Sequence, residues 1–247
     1  MHHQLELARE GESLFKPRGK FLTYVALLSV VIAYLNGAMG PFASSGANMA
    51  WFCLAFAVAA SGAVFRIITS GHAALGTSGS NKVAAVAAEL NTTGPYSLVR
   101  NPLYTGRILN FTGIAMLSGS WVYGVITFFV CVLIYQRISV YEEEFLRVEF
   151  GDAHSKWAEN VPFLWPRLRG WEKPKYPFWI RRCIKREEKK ILWLFSAVAV
   201  CDFAQRGFNL NQLPDNLFWY YLWAGCLLAY MVSHGLRYFT STYDNIT

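Results

Sequence analysis

The chain has 247 residues, of which 54% are apolar and only 16% charged, with a formal net charge of +7. A length of this order would accommodate one or two soluble domains, but the apolar residues come in long blocks, which argues against that organisation. The cations flank those blocks, so the basic balance points to anionic lipid head groups and away from nucleic acid.

In chain order, residues 21–42, 49–68, 121–141 and 217–237 each approach or exceed the roughly 20 residues needed to cross a hydrocarbon core. Residues 103–120 and 191–205 are shorter and read as tilted or partly immersed helices. The expected fold is therefore all-α, a polytopic membrane bundle with about six membrane segments. Arg9, Lys16, Arg18 and Lys20 precede the first segment, whereas the turn after it, 43–48, is uncharged. Lys82 and Arg100 lie between the second and third, and thirteen Lys or Arg fall between Arg137 and Lys190. The positive-inside rule then places both termini and the 70–102 and 142–190 segments in the cytoplasm; Arg206, in the last outer turn, runs against the pattern. The first segment is too long for a signal-peptide core, and Glu6, Glu10 and Glu12 precede it, so it reads as a retained helix.

Between the second and third segments, Gly76-Thr77-Ser78-Gly79-Ser80-Asn81 is loop-forming, and residues 82–90 read as a short Ala-rich helix. Residues 151–180 hold Pro162, Pro166, Pro174 and Pro177 with Trp157, Trp165, Trp171 and Trp179. Prolines at that density exclude one long helix, and the tryptophans suit a head-group layer. This segment is expected to form a cytoplasmic cap on a single membrane domain, 1–247, followed by a charged helical lead-in, 181–190.

Two polar elements carry the candidate chemistry. The first is Gly94-Pro95-Tyr96-Ser97-Leu98-Val99-Arg100-Asn101-Pro102-Leu103-Tyr104-Thr105-Gly106. Pro102 suits the first helical position, and Asn101 is an N-cap type. A helix N-terminus with Arg100 beside it is a ready seat for a carboxylate or phosphate, and the faces of Tyr96 and Tyr104 can hold a cation. The turn taken alone equally describes an ordinary helix start, with Arg100 reaching to lipid phosphate. The second element is Glu142-Glu143-Glu144 at the cytoplasmic end of the fourth segment. Carboxylates oppose the dipole at a helix C-terminus, so the helix is expected to run on or the carboxylates to have another role. Adjacent helical residues point about 100° apart, so the three do not share one pocket. Glu143 has Arg147 at i+4 as a partner; Glu142 has Leu146 there and is the better ligand candidate, although a solvated acidic face is an equal reading of this cluster alone.

Other signals are weak. Residues 71–78 have the glycine spacing of a P-loop but carry Thr77 where Lys is required. Asn91, Asn110 and Asn245 head glycosylation patterns, but in a segment expected to be cytoplasmic or within a span. Neither the five cysteines nor His72, His154 and His234 form a ligand cluster, so no metal site or disulfide framework is indicated.

Taken together, the two elements resemble the isoprenylcysteine carboxyl methyltransferase family and its phospholipid methyltransferase relatives. That pattern is roughly G-x-Y-x-x-x-R-H-P-x-Y-x-G, a membrane helix pair, E-E, F-G and V-P. Here it reads Gly94, Tyr96, Arg100, Asn101, Pro102, Tyr104 and Gly106, then Glu142-Glu143, Phe150-Gly151 and Val161-Pro162, so the resemblance covers about 88–166. It implies a membrane enzyme that uses S-adenosylmethionine on the cytoplasmic side while a lipid substrate enters from the bilayer. Leu90, Asn91, Tyr96, Asn101, Pro102, Tyr104 and Glu142 would line the donor pocket. Arg100, Arg137 and Glu143 would be the catalytic set, the arginines holding the acceptor. Asn101 replaces the usual His, and His154 stands where Tyr is common.

Residues 76–81 before Leu90-Asn91-Thr92-Thr93-Gly94, with Gly11-Glu12-Ser13-Leu14-Phe15, resemble bacterial members that methylate a lipid A phosphate, which would imply a bacterial inner membrane. The expected reaction is methyl transfer to an anionic lipid head group, phosphate ahead of carboxylate. Alternatives are an isoprenylcysteine or phosphatidylethanolamine methyltransferase, a sterol-reductase-like NADPH enzyme, and a non-enzymatic membrane binding or transport protein.

Overall fold

The computed structural model describes residues 2–37, 41–42, 44–77, 87–213 and 217–240, and the side chains of 2–5 are left aside. Among these residues the fold is all-helical: α1 His2–Phe15, α2 Lys20–Asn36, α3 Ser45–His72, α4 Pro102–Met116, α5 Trp121–Asn160, α6 Ile180–Gln205 and α7 Phe218–Phe239. Three helical stretches are long and apolar enough to cross a membrane, Pro17–Asn36, Ser45–His72 and Trp121–Asn160. The other expected segments correspond to α4, α6 and α7. At about 1.5 Å per residue, the 15 residues of α4 fall short of a hydrocarbon core of about 30 Å.

Local chemistry explains where these helices begin and bend. Ser44 and Ser120 cap α3 and α5, their Oγ atoms accepting from the backbone N–H of Ala47 and Tyr123. α5 runs on through the acidic cluster, so Glu142–Glu144 do not sit at a helix end, and the helix breaks later, at Gly151 (φ 51°, ψ −124°). That left-handed φ is readily accessible to glycine. The lead-in 181–190 is helical, as expected, and continuous with the rest of α6. Residues 82–86 of the expected Ala-rich helix lie outside the described residues, and Ala87–Leu90 are not helical.

The tightest helix pair is α3 with α4. A Cβ added to Gly62 would lie 2.4 Å from the Gly106 carbonyl oxygen, and one added to Gly113 would lie 2.3 Å from the Ala59 nitrogen. Small residues bring the two backbones together, which is how helices associate when the solvent is itself apolar. One buried cluster joins α2, α3, α4 and α6 through Ala33, Ala59, Ile114 and Val198. A second joins α1, α4 and α5 through Phe15, Tyr104, Ile108 and Tyr135. Arg206, the cation that opposed the charge pattern, is paired with Asp202 at 3.1 Å, and Tyr220 Oη donates to the same carboxylate at 2.6 Å.

Candidate active site

The knuckle before α4 is a short 3-10 turn, Gly94–Ser97, followed by a four-residue irregular link, 98–101, into Pro102. The 161–180 segment straps it in place. Pro162 O accepts from Arg100 N at 2.9 Å, Leu98 O from Arg167 N at 3.0 Å, and Glu172 O from Gly94 N at 3.0 Å. The break at Gly151 turns the end of α5 toward the same knuckle, where Trp157 Nε1 donates to Tyr96 O at 3.2 Å. Trp165 and Trp171 are exposed, as a head-group layer requires, whereas Trp157 and Trp179 are partly buried. The proline-rich stretch is therefore a strap that fixes the loop, because its prolines leave backbone groups available for pairing outside a helix.

Two adjacent carboxylates of α5 close the site. Glu143 Oε2 accepts from Arg100 Nη1 at 2.8 Å, and Oε1 accepts from Asn101 Nδ2 at 2.8 Å. Glu142 Oε1 accepts from Tyr104 Oη at 2.8 Å. Glu144 turns away and pairs with Arg147 at 2.7 Å. The expected Glu143–Arg147 partnership is thus replaced by Arg100–Glu143, with Arg147 taken by its i−3 neighbour. Asn101 occupies the N-cap position, but its side chain makes no capping bond; its amide instead donates to Glu143 and to Phe163 O. Pro102 takes the first helical position, and the Asn101 carbonyl accepts from the N–H groups of Tyr104 and Thr105. The Tyr104 ring is stacked on Tyr135 with centroids 5.0 Å apart.

The remaining expected residues are placed differently. Asn91 holds the preceding turn: its Oδ1 accepts from Ala74 N at 2.8 Å and its Nδ2 donates to Thr77 Oγ1 at 2.9 Å. Leu90 and Tyr96 are half-buried on either side of that turn and the knuckle. Arg137 is held elsewhere, by Glu10 of α1 at 2.5 Å and by the Leu133 carbonyl at 3.1 Å. α1 docks there because Gly11 lets it approach: a Cβ on Gly11 would lie 2.1 Å from the Arg137 oxygen. Glu89, beside the strap, is held below the ordinary carboxylate range by hydrogen bonds from Lys175 Nζ and Tyr176 Oη.

A second polar group, behind the knuckle, was not anticipated. Arg66 of α3 is 5% exposed and donates to Glu187 of α6 through Nε at 3.2 Å and Nη2 at 2.8 Å. Its Nη1 donates to Leu103 O at 3.1 Å, in the first turn of α4. Ser70 and Lys190 also donate to Glu187. The signal that could have found this group is a charge within an apolar span, Arg66 in the second and Arg107 in the third.

Residues 49–153 match the phospholipid methyltransferase family. Over 79 residues the chain is 32% identical to the cobalt-zinc-cadmium resistance protein CzcN of Cupriavidus metallidurans, a stretch that covers 32% of this chain and 36% of that relative. The chain thus matches about a third of the length of that protein. No solved structure matches. The matched segment contains the knuckle, Tyr104 and both α5 carboxylates, so it is over these elements that the chain is similar to the phospholipid methyltransferase family.

Proposed function

We propose that the protein transfers a methyl group from S-adenosylmethionine to an anionic oxygen of a lipid head group at the cytoplasmic face of a membrane. The observation that carries this reading is the pairing of Glu142 and Glu143 with opposite sides of one knuckle, through Tyr104 on one side and Arg100 and Asn101 on the other. The six-segment topology, with both termini cytoplasmic, belongs to the same proposal and is supported by the charge distribution.

The residues present suit the donor. Glu142 Oε1 accepts from Tyr104 Oη, which sets the carboxylate beside the face of Tyr104, where a cation would lie. Arg100 Nε is buried and without a partner, a donor suited to the carboxylate end. Pro102 and Asn101 set the backbone that both flank; Leu90, Asn91 and Tyr96 would shape the loop side. When bound, S-adenosylmethionine supplies an electrophilic methyl on sulfur, whose C–S electron pair returns to sulfur as the acceptor oxygen bonds to carbon.

An acceptor already ionised at neutral pH needs no base, so the protein's part is positioning and charge placement. Glu143 supports that choice, because both its oxygens are engaged by Arg100 and Asn101. An amine acceptor would need a carboxylate free to take a proton.

Calorimetric titration of the detergent-purified protein with S-adenosylhomocysteine, beside Glu142→Gln, tests the donor site. Binding by the wild type that Glu142→Gln abolishes is the expected result. No binding by a folded wild type would overturn the reading and leave the reductase-like or non-enzymatic alternatives.

A further inference from the structure

Arg107 lies on α4, three residues beyond Tyr104, and therefore nearly one turn further from the knuckle. It differs from the other arginines around the site. Arg66 is matched to Glu187, Arg100 to Glu143 and Arg137 to Glu10. Arg107 makes no ion pair among the described residues; it faces the phenols of Tyr135 and Tyr104 and, beyond direct pairing, the carboxylates of Glu187 and Glu142. A guanidinium in an apolar layer with no carboxylate in direct contact is costly and marks a functional position by default.

The facing side of α5 repeats the pattern. Tyr135, Ser139 and Glu142 are spaced by four and three residues, which places them on one helix face. Tyr135 is 1% exposed and Ser139 0%; the Tyr135 phenol faces Arg107, and Ser139 Oγ has no hydrogen-bond partner. A buried hydroxyl left unmatched costs free energy, and this one, on the face of Glu142 beside a cation held only by a phenol, calls for an anionic acceptor. Seven residues of helix, about 10 Å, separate Tyr135 from Glu142, so the strip runs from the knuckle into the bilayer.

We propose that Arg107, with Tyr135 Oη and Ser139 Oγ, seats the anionic oxygen of the lipid acceptor, an inference that rests on the methyl-transfer reading above. Phosphate and carboxylate share the required chemistry: a negative oxygen with several lone pairs facing a fork of N–H donors and two hydroxyls. The acceptor would enter from the bilayer side, while Glu142 and Tyr104 face the donor from the knuckle side. Arg100 and Arg137 are then left to their observed partners, Glu143 and Glu10.

The test is equilibrium binding to the full-length protein in neutral detergent, followed by tryptophan fluorescence, with S-adenosylhomocysteine titrated in parallel. One arm uses phosphatidic acid, one a long-chain fatty carboxylate and one phosphatidylcholine as the neutral control; whichever anion binds tighter identifies the head-group chemistry. Arg107→Gln is expected to weaken binding of the anionic lipids at least about tenfold, the worth of a charge-assisted hydrogen bond. Tyr135→Phe keeps the ring on Tyr104 and is expected to weaken it about fivefold; Arg107→Lys retains part of the affinity. All three keep S-adenosylhomocysteine affinity within about threefold, by the size of indirect effects between neighbouring groups. The unfolding midpoint of Arg107→Gln does not fall, because the carboxylates it faces keep their own partners, Glu187 with Arg66 and Lys190 and Glu142 with Tyr104; a merely structural arginine would lower it.

Unchanged lipid binding by Arg107→Gln, with donor binding intact, overturns this inference alone. Equal binding of phosphatidylcholine, or a parallel loss of lipid binding, donor binding and stability in Arg107→Gln, overturns it too. A folded wild type that does not bind S-adenosylhomocysteine overturns the methyl-transfer reading and this inference with it.

Discussion

Glu187 is expected to be worth more to the fold than the arginine it binds. Its Oε1 accepts from Arg66 Nη2 at 2.8 Å, Ser70 Oγ at 3.0 Å and Lys190 Nζ at 2.9 Å. Glu187→Met therefore strands two cations and a hydroxyl, and Arg66 is nearly inaccessible to water. Breaking a buried pair by removing one partner costs about 3–5 kcal/mol. Arg66→Met is milder, because Glu187 keeps Lys190 and Ser70; the loss is about 1.5–3 kcal/mol, that of hydrogen bonds to a charged group. The double variant leaves the Ser70 hydroxyl and a single cation, Lys190, which is partly exposed and can reach polar surroundings along its stem. It should therefore be more stable than Glu187→Met alone. The assay is reversible denaturant unfolding of the four proteins in one detergent, analysed as a double-mutant cycle. Additive losses, or an Arg66→Met penalty equal to that of Glu187→Met, would refute the reasoning.

Three further outcomes are expected. Tyr104→Phe removes the hydrogen bond to Glu142 and should weaken S-adenosylhomocysteine binding about tenfold or more in calorimetry, the low end of one hydrogen bond to a carboxylate at about 1.5–3 kcal/mol; unchanged affinity would separate Glu142 from the donor. Gly11→Ala pushes a methyl group against the Arg137 carbonyl, an overpacking cost of about 1–3 kcal/mol, seen as faster proteolysis within α1; wild-type resistance would show that α1 docks differently. Glu89 is held below its ordinary range by Lys175 and Tyr176, so its contribution is present above the unfolded Glu value of about 4.3 and is lost as pH falls through the depressed folded value. Thermal midpoints of wild type and Glu89→Gln should differ at neutral pH and converge in acid, whereas a constant difference would remove Glu89 from the linkage.

Much of the site was legible because it is local in sequence. Gly94, Pro95, Asn101 and Pro102 describe a turn entering a helix, and the structure places a 3-10 turn and the start of α4 there. Glu142 and Glu143 stood out as acidic residues beside an apolar span. Their partners were not legible, because a carboxylate in a helix has several cations within reach of sequence reasoning, and only the tertiary arrangement selects one. Glu143 had Arg147 available at i+4, yet Arg100 of the knuckle takes it, 43 positions away. Arg137, about one turn before the acidic cluster, was a candidate acceptor contact; its partner in the structure is Glu10 of α1, whose approach depends on the missing side chain of Gly11.

The sequence by itself determined the all-helical class, the apolar stretches capable of crossing a membrane, and the two polar elements that lie in the segment similar to the phospholipid methyltransferases. These follow from hydrophobic block length, proline geometry and helix-start chemistry, which act over a few neighbouring residues. The tertiary structure decided which charges meet. It brought Arg66 to Glu187 across 121 positions, turned the proline-rich segment into a strap over the knuckle, and set Arg107 against the phenols of Tyr135 and Tyr104 with no carboxylate in direct contact. Those choices depend on how closely small residues let α3 and α4 approach and on which faces α5 and α6 then present. No local pattern encodes them, because the free energy of a buried charge is set by the groups packed around it.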